Sequence, residues 1–315
     1  MMATRTAKPM EAESRVMDLF LTKPAFLLAR VDQICTALYA DLSRGETLAQ
    51  AELILLLAQS DDRDQISLAR AAGVDKSTTA LILDNLAASG LVERVSDPED
   101  RRRTRPRLTA AGHIRATAAT ASYARLQEHL VAPIADPADL VGLLGLLARN
   151  EAARAAPWTP ASAPRILAEA PSLLARRSLQ AAQAQFLASV VPLALTPRQY
   201  SVLVILAAHP DLSQVEFSRL FGLDPATAGL VMRKLMARGL IVDRVADHDR
   251  RKRVHSLTPA GHAMLTAALP LVALSEQLAT GALDRNQIAR LIAHLQAIVF
   301  SLSPVLRFPG EISTL

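Results

Sequence analysis

The chain has a single cysteine, Cys35, among 315 residues. That count excludes an intrachain disulfide and a cysteine-cluster zinc site. Its seven histidines do not form a metal-ligand pattern such as His-Glu-x-x-His, and no glycine-rich phosphate loop is present. No Ser/His/Asp or Cys/His set can be picked out by motif, so the expectation is no enzyme, no cofactor and no metal. Met1–Met10 lacks the long apolar core of a signal peptide. The apolar runs Leu53–Ala58 and Leu143–Ala148 are too short to span a bilayer. A soluble cytoplasmic protein of bacterial type, with no membrane partner, is expected.

Aromatic residues make up only 3% of a chain that is 50% hydrophobic. Alanine and leucine fill the gap, and both rank high in helix propensity. The net charge of +5 at pH 7 is mild, but it is concentrated in Arg101–Arg107 and Arg250–Arg253, which points to a polyanionic partner.

The chain repeats itself. Shifted by 149 positions, Gln65–Gly112 lies on Gln214–Gly261. Gly73-Val74-Asp75 falls on Gly222-Leu223-Asp224, Asp100-Arg101-Arg102 on Asp249-Arg250-Arg251, and Leu108-Thr109 with Gly112 on Leu257-Thr258 with Gly261. The register slips by one residue between Glu93 and Glu99, as a lengthened hairpin tip would allow. So long a period is a duplicated domain rather than a solenoid repeat.

Each copy reads as a series of helices broken by one hairpin. In the first, a helical stretch over Val16–Leu42, interrupted near Lys23-Pro24, precedes a helix over Leu48–Gln59 whose nearly continuous apolar residues predict burial on most sides. A short helix then ends at Gly73, a residue suited to a left-handed exit. Asp75 and Asp224 cap the next helix, and Pro225 occupies its first position without losing a hydrogen bond. Thr79, Ile82, Leu83 and Leu86 form that helix's inner face, as do Ala228, Val231, Met232 and Leu235 in the second copy. Ser77, Thr78, Leu81, Asp84 and Asn85 face outward in one, Thr227, Leu230, Arg233 and Lys234 in the other. The order is that of a helix-turn-helix. The β-branched runs Val92–Val95 and Val242–Val245 open hairpins, which make each unit a winged helix. Thr109 and Thr258 can cap the helices that follow, and a short helix closes each copy. The expected fold is mainly α with small antiparallel β wings, in two tandem winged helix-turn-helix domains.

Gly90-Leu91-Val92-Glu93-Arg94, Asp100-Arg101-Arg102 and Leu108-Thr109 with Gly112, repeated as Gly239-Leu240-Ile241, Asp249-Arg250-Arg251 and Leu257-Thr258-Pro259-Ala260-Gly261, resemble the MarR family of bacterial transcription regulators. Leu195-Thr196-Pro197-Arg198-Gln199-Tyr200 is similar to the family's approach to its second helix. The resemblance covers most of both halves. It implies a double-stranded DNA-binding regulator, by family habit a repressor. Family members act as homodimers joined by their first and last helices, so this chain would be that dimer in one polypeptide, a pseudo-dimeric monomer for which higher oligomers stay open. The domains expected are a disordered tail at 1–15, a first winged-helix domain at 16–152, a Pro/Ala-rich linker at 153–171 holding Trp158, a second domain at 172–303 and a tail at 304–315.

On DNA, the capped helix would enter the major groove, presenting Lys76, Ser77, Thr78 and Asn85 in one half and Thr227, Arg233 and Lys234 in the other, while its first-turn amides could hold a phosphate. Arg102 and Arg251 correspond to the family's wing arginine, and Asp100 and Asp249 to the aspartate that braces it. Arg101, Arg103, Arg105, Arg107, Arg250, Lys252 and Arg253 would neutralise phosphates. Asp84-Asn85 stand where the second copy has Arg233-Lys234, so unequal half-sites are expected. The segment around Cys35 is similar to the hydroperoxide-sensing branch of the family, with Tyr200 as its facing tyrosine. Against that stands Ala184 at the counterpart of Cys35. The commoner family arrangement implies a small aromatic acid or related anion as effector. Arg30, Arg176 and Arg177 are its candidate anchors, although the plainer reading places each on the surface. A tandem winged-helix assembly protein is the rival outside DNA regulation, and arginine-rich wings in both copies speak against it.

Overall fold

The computed structural model describes residues 17–43, 45–59, 64–96, 104–149, 165–246 and 249–310. After a helical turn at 17–21, the first half runs α1 Pro24–Leu42, α2 Leu48–Gln59, α3 Gln65–Ala72, α4 Lys76–Ala88, β1 Val92–Ser96, β2 Thr104–Leu108, α5 Ala110–Val131 and α6 Pro137–Ala148. A four-residue helix, α7 Arg165–Ala168, leads into the second half. There the same order returns as α8 Pro171–Ser189, α9 Pro197–Ala208, α10 Gln214–Phe221, α11 Pro225–Ala237, β3 Ile241–Ala246, β4 Asp249–Leu257, α12 Pro259–Thr280 and α13 Arg285–Leu302.

Local chemistry accounts for the boundaries. Gly73 and Gly222 leave α3 and α10 at φ +66° and +67°, conformations that cost glycine nothing. Asp75 accepts from the Thr78 amide and Asp224 from the Thr227 amide, starting α4 and α11. Thr109 and Thr258 do the same for Gly112 and Gly261 at the starts of α5 and α12. Each hairpin is antiparallel, with Val92 opposite Leu108 and Ile241 opposite Leu257. The second has a register shift between Val245 and Ala246. It also gains a bridge the sequence did not announce: the His255 amide donates to the Leu212 carbonyl at 2.8 Å. The repeat puts Pro106, which has no amide hydrogen, at the matching place in the first hairpin.

The two halves are packed together by their first and last helices. α1 lies against α8 and α13, while α8 lies against α6 and α1. The apolar core runs through both halves without a break. Ser172 at the start of α8 exchanges hydrogen bonds with Gln127 of α5, 3.1 and 2.9 Å. At the opposite end, Lys23 pairs with Glu276 of α12 at 2.7 Å. The 149-residue shift carries Lys23 to Ser172 and Gln127 to Glu276, so the same positions meet twice, once in each direction. Phe20 and Phe26 reach Phe221 of α10, with ring centroids 5.4 and 5.5 Å apart.

Two expectations meet the structure differently. The linker reading of 153–171 lies outside the described residues up to 164, as does Trp158. From Arg165 the chain is already helical, because Leu167 and Ala170 find apolar cover. The tail reading of 304–315 also changes: Ser303–Val305 forms a 3-10 turn packed on α1, and the backbone of Phe308–Pro309 accepts hydrogen bonds from Arg30. The 1–15 tail lies outside the described residues.

Candidate nucleic-acid interface

The helix after each turn, α4 or α11, buries the inner face read from its spacing: Thr79, Ile82, Leu83 and Leu86 in one, Ala228, Val231, Met232 and Leu235 in the other. That burial turns Lys76, Ser77, Thr78, Asp84 and Asn85 outward in α4, and Arg233 and Lys234 outward in α11, with Thr227 half-buried. Leu81 and Leu230 are 61% and 47% exposed, leaving an apolar side chain in the middle of each outward face.

Electrostatics separates the two faces. Asp84 forms an ion pair with Arg94 of β1. The repeat places Arg233 and Asp243 at the same two positions, so the charges are exchanged between helix and strand. Asp243 accepts from Arg253 across the hairpin, Nε to Oδ2 at 2.6 Å. Among the described residues Arg233 and Lys234 therefore keep their cationic heads exposed, while the first helix presents an acid already neutralised by its own strand.

The helix starts carry the caps read from the sequence, and those caps bear on the phosphate reading. The Ser77 hydroxyl and Thr78 amide donate to Asp75, which together hold its carboxyl well below the usual carboxylate range. In α11 the Thr227 hydroxyl donates to Asp224 at 3.2 Å. Each first turn thus carries its own bound carboxylate, which occupies an amide and opposes a phosphate at that point. Ser77 and Thr227 meet a ligand as hydroxyls already committed as donors.

The wings are only partly described. Asp100, Arg101, Arg102 and Arg103 lie outside the described residues, as do the side chains of Asp249 and Arg250, so neither brace is placed. Arg105 is half-buried in β2, Arg251 is exposed on β4, and both make interactions within the chain. Lys252 is paired with Glu216 of α10 at 2.5 Å, and Arg253 with Asp243. The second hairpin spends much of its positive charge on the protein's own carboxylates. Sequence spacing could not reveal those partners, since Glu216 is 36 residues from Lys252.

The junction of the halves holds a buried polar group. Glu52, in the apolar run of α2, is fully buried and paired with Arg176 of α8. Tyr123 of α5 hydrogen-bonds Glu52 and Ser172, at 3.4 and 3.2 Å. Burial pushes the Glu52 carboxyl up, and the Arg176 guanidinium pulls it down. Arg30 and Arg177 are 2% and 9% exposed, and burial lowers each guanidinium to about 10. The surface reading is corrected: Arg30 is held inside by the Gly222 and Pro309 carbonyls, Arg176 by Glu52 and the Ala72 carbonyl, and Arg177 is buried beside Gln180. A charged residue inside an apolar helix was the available signal, because such a group must find a partner. Cys35 belongs to the same region. Burial, and then the Asp32 carboxylate, raise its thiol well above the ordinary value. Tyr200 instead packs on Phe186, 5.9 Å between centroids.

Comparison with known proteins bears on this arrangement. A MarR family model matches residues 47–104, and a second matches residues 195–252. The chain belongs to the MarR family. It carries the MarR-type domain twice, each match spanning one helix-turn-helix and the start of its wing. It is 29% identical over 128 residues to the HTH-type transcriptional repressor NicR of Pseudomonas putida, covering 41% of this chain and 81% of NicR. Among solved structures it is similar to the transcriptional repressor CouR bound to a 23-mer DNA duplex. That match is 34% identical, covers 40% of this chain and 89% of CouR, and has a TM-score of 0.38. It is also similar to BpsR of Bordetella bronchiseptica, whose DNA binding is regulated by 6-hydroxynicotinic acid: 29% identity, 39% and 88% coverage, TM-score 0.38. These MarR-type relatives are transcriptional regulators.

Proposed function

We propose that this MarR-family regulator is a sequence-specific double-stranded DNA-binding repressor in which one chain supplies both reading units of a site. The observation that carries the reading is the pair of outward-facing capped helices, each followed by a basic hairpin, on one continuous core. The reciprocal contacts Ser172–Gln127 and Lys23–Glu276 support a pseudo-dimer, because equivalent positions meeting twice are the mark of a two-fold interface. The domain limits we adopt are 16–152 and 172–303. Repression follows the named role of the relative NicR. DNA-facing roles are assigned to Lys76, Ser77, Thr78, Asn85, Thr227, Arg233 and Lys234, and to the wing cations Arg101–Arg103, Arg105 and Arg250–Arg253. Asp100 and Asp249 are assigned to bracing Arg102 and Arg251. A small aromatic or anionic effector is proposed to act at the junction of the halves, where buried guanidiniums gather.

Selecting duplexes from a random pool, then weighing the complex, tests this reading. The expected result is a salt-sensitive complex of one chain per minimal site, weakened when Arg102 and Arg251 are both replaced by alanine. Two chains on every minimal site would remove the single-chain reading.

A further inference from the structure

The last turn of a helix leaves its carbonyls without intrahelical partners and carries the negative end of the helix dipole. In both halves those carbonyls, at the helix-turn-helix turn, are met by cations from the opposite half. On the first turn, Arg176 donates to the Ala72 carbonyl at 3.0 Å and Gln180 to the Gly73 carbonyl at 2.5 Å. Arg177 lies so close that a Cβ on Gly73 would sit 2.9 Å from its Nε. On the second turn, Arg30 donates to the Gly222 carbonyl at 3.0 Å, and a Cβ there would sit 2.8 Å from its Nη1. Arg30 and Arg177 are 147 residues apart while the turns are 149 apart. Each arginine therefore stands two residues from the place the repeat would give its counterpart, yet both reach the same turn.

The two arrangements are anchored differently. Arg176 is held from behind by the buried Glu52. Arg30 is held by the Pro309 carbonyl, and by Gln33 at 2.9 Å. The backbone around Pro309 closes on the turn itself: Gly310 has φ +76°, and a Cβ on it would lie 3.1 Å from the Gly222 nitrogen. Among the described residues, Nε of Arg30, Arg176 and Arg177 is buried without a partner. Guanidiniums satisfied this incompletely are poor stabilisers, since each unmatched donor carries a desolvation cost. They are good locators, because a rigid planar fork fixes distance and direction.

We infer that Arg30 and the pair Arg176–Arg177 are positioning residues, each holding the helix-turn-helix turn of the opposite half, so that the two recognition helices are set relative to one another by crossed side-chain clamps. The first clamp is backed by an ion pair and the second by the segment Phe308–Gly310. The inference rests on the reading that both helices engage one DNA site.

Hydrogen exchange on the full-length free protein tests the crossing without DNA. Arg30→Ala should raise exchange of the Gly222 and Leu223 amides about tenfold or more, as loss of a charged hydrogen bond implies, and leave Gly73 and Val74 unchanged. Arg176→Met combined with Glu52→Gln, which removes the pair without stranding a buried charge, should do the reverse. Arg30→Lys should restore part of the protection lost in Arg30→Ala. Equal loosening of both turns, or loosening of the Gly73 turn in place of the Gly222 turn in Arg30→Ala, overturns the clamps. A second readout uses duplexes whose half-sites are separated by spacers stepped one base pair at a time. The native protein should prefer one spacing, and the clamp variants should flatten that preference. Clamp variants that keep the native spacing profile would overturn the positioning role even with DNA binding intact. A native protein that binds no duplex would defeat the DNA reading, with exchange still deciding the clamps.

Discussion

Gly112 and Gly142 differ by thirty positions, and the same replacement by alanine should move stability in opposite directions. Gly112 opens α5 beneath the first strand, where an added Cβ would lie 2.1 Å from the Leu91 carbonyl oxygen and 3.1 Å from Leu108 Cβ. An ordinary contact needs about 1 Å more, and the obstacle is backbone rather than a side chain that can swing away. That same carbonyl accepts the Thr109 amide at 3.0 Å, so moving it loosens the bond that ties hairpin to helix. A lost hydrogen bond of about 1 kcal/mol and overpacking of about 1–3 kcal/mol give a destabilisation of roughly 2–4 kcal/mol. At about 2–4 °C per kcal/mol for a unit of this size, the thermal midpoint should fall by roughly 5–15 °C. Gly142 is exposed in the interior of α6, with nothing among the described residues within 4 Å of its added Cβ. There alanine should stabilise by about 0.5–1 kcal/mol. Gly261→Ala repeats the first experiment in the second half, with its Cβ 2.0 Å from the Leu240 carbonyl oxygen. Urea and thermal unfolding of the full chain, followed by circular dichroism, measure all three. A Gly112→Ala protein as stable as the parent, or a Gly142→Ala protein as damaged as Gly112→Ala, would refute the close-approach reasoning.

Asp139 of α6 is held below the ordinary carboxylate range by the Arg290 guanidinium and then by His294, both on α13. A depressed folded-state pKa contributes stability that is present above the unfolded value of about 4 and lost as pH falls through the folded value. Asp139→Asn should remove that part of the acid-side decline, costing less than about 1 kcal/mol at neutral pH because the contact is partly solvated. Cys35 should resist iodoacetamide in the folded protein, reacting on the order of 100-fold or more slowly than in urea. Alkylation at the unfolded rate would refute the burial argument and favour the sensor reading. Replacing Arg233 and Lys234 by glutamine should weaken operator binding and its salt dependence more than replacing Asp84 and Asn85 by alanine, since Asp84 is already neutralised by Arg94. Equal effects in a filter-binding titration would undo the unequal half-sites.

Much of the fold was legible because it is written in local chemistry. Gly73, Asp75, Thr109 and their counterparts mark boundaries through φ, caps and orphan amides, and those marks sit within a few residues of what they control. The inner face of α4 followed from spacing alone. The candidate site was less legible, because its electrostatics is decided over long separations. Nothing near Lys252 announces Glu216, and nothing near Arg94 predicts that it faces Asp84 while Asp243 is claimed by Arg253. The burial of Arg30 and Arg176 is illegible for the same reason: each bonds backbone carbonyls far along the chain, which every sequence position offers equally. Glu52 was the one informative exception, a charge set among leucines.

The packing of α1 on α13 and of α8 on α6 occurs within one covalent chain. An assembly of separate subunits comes apart when its concentration falls below its dissociation constant, and its DNA occupancy then rises steeply with copy number. Here dilution cannot part the halves, because each remains tethered at a fixed effective concentration beside the other. On the proposed single-chain reading, occupancy of a site read by both halves should therefore rise in simple proportion to protein at low abundance.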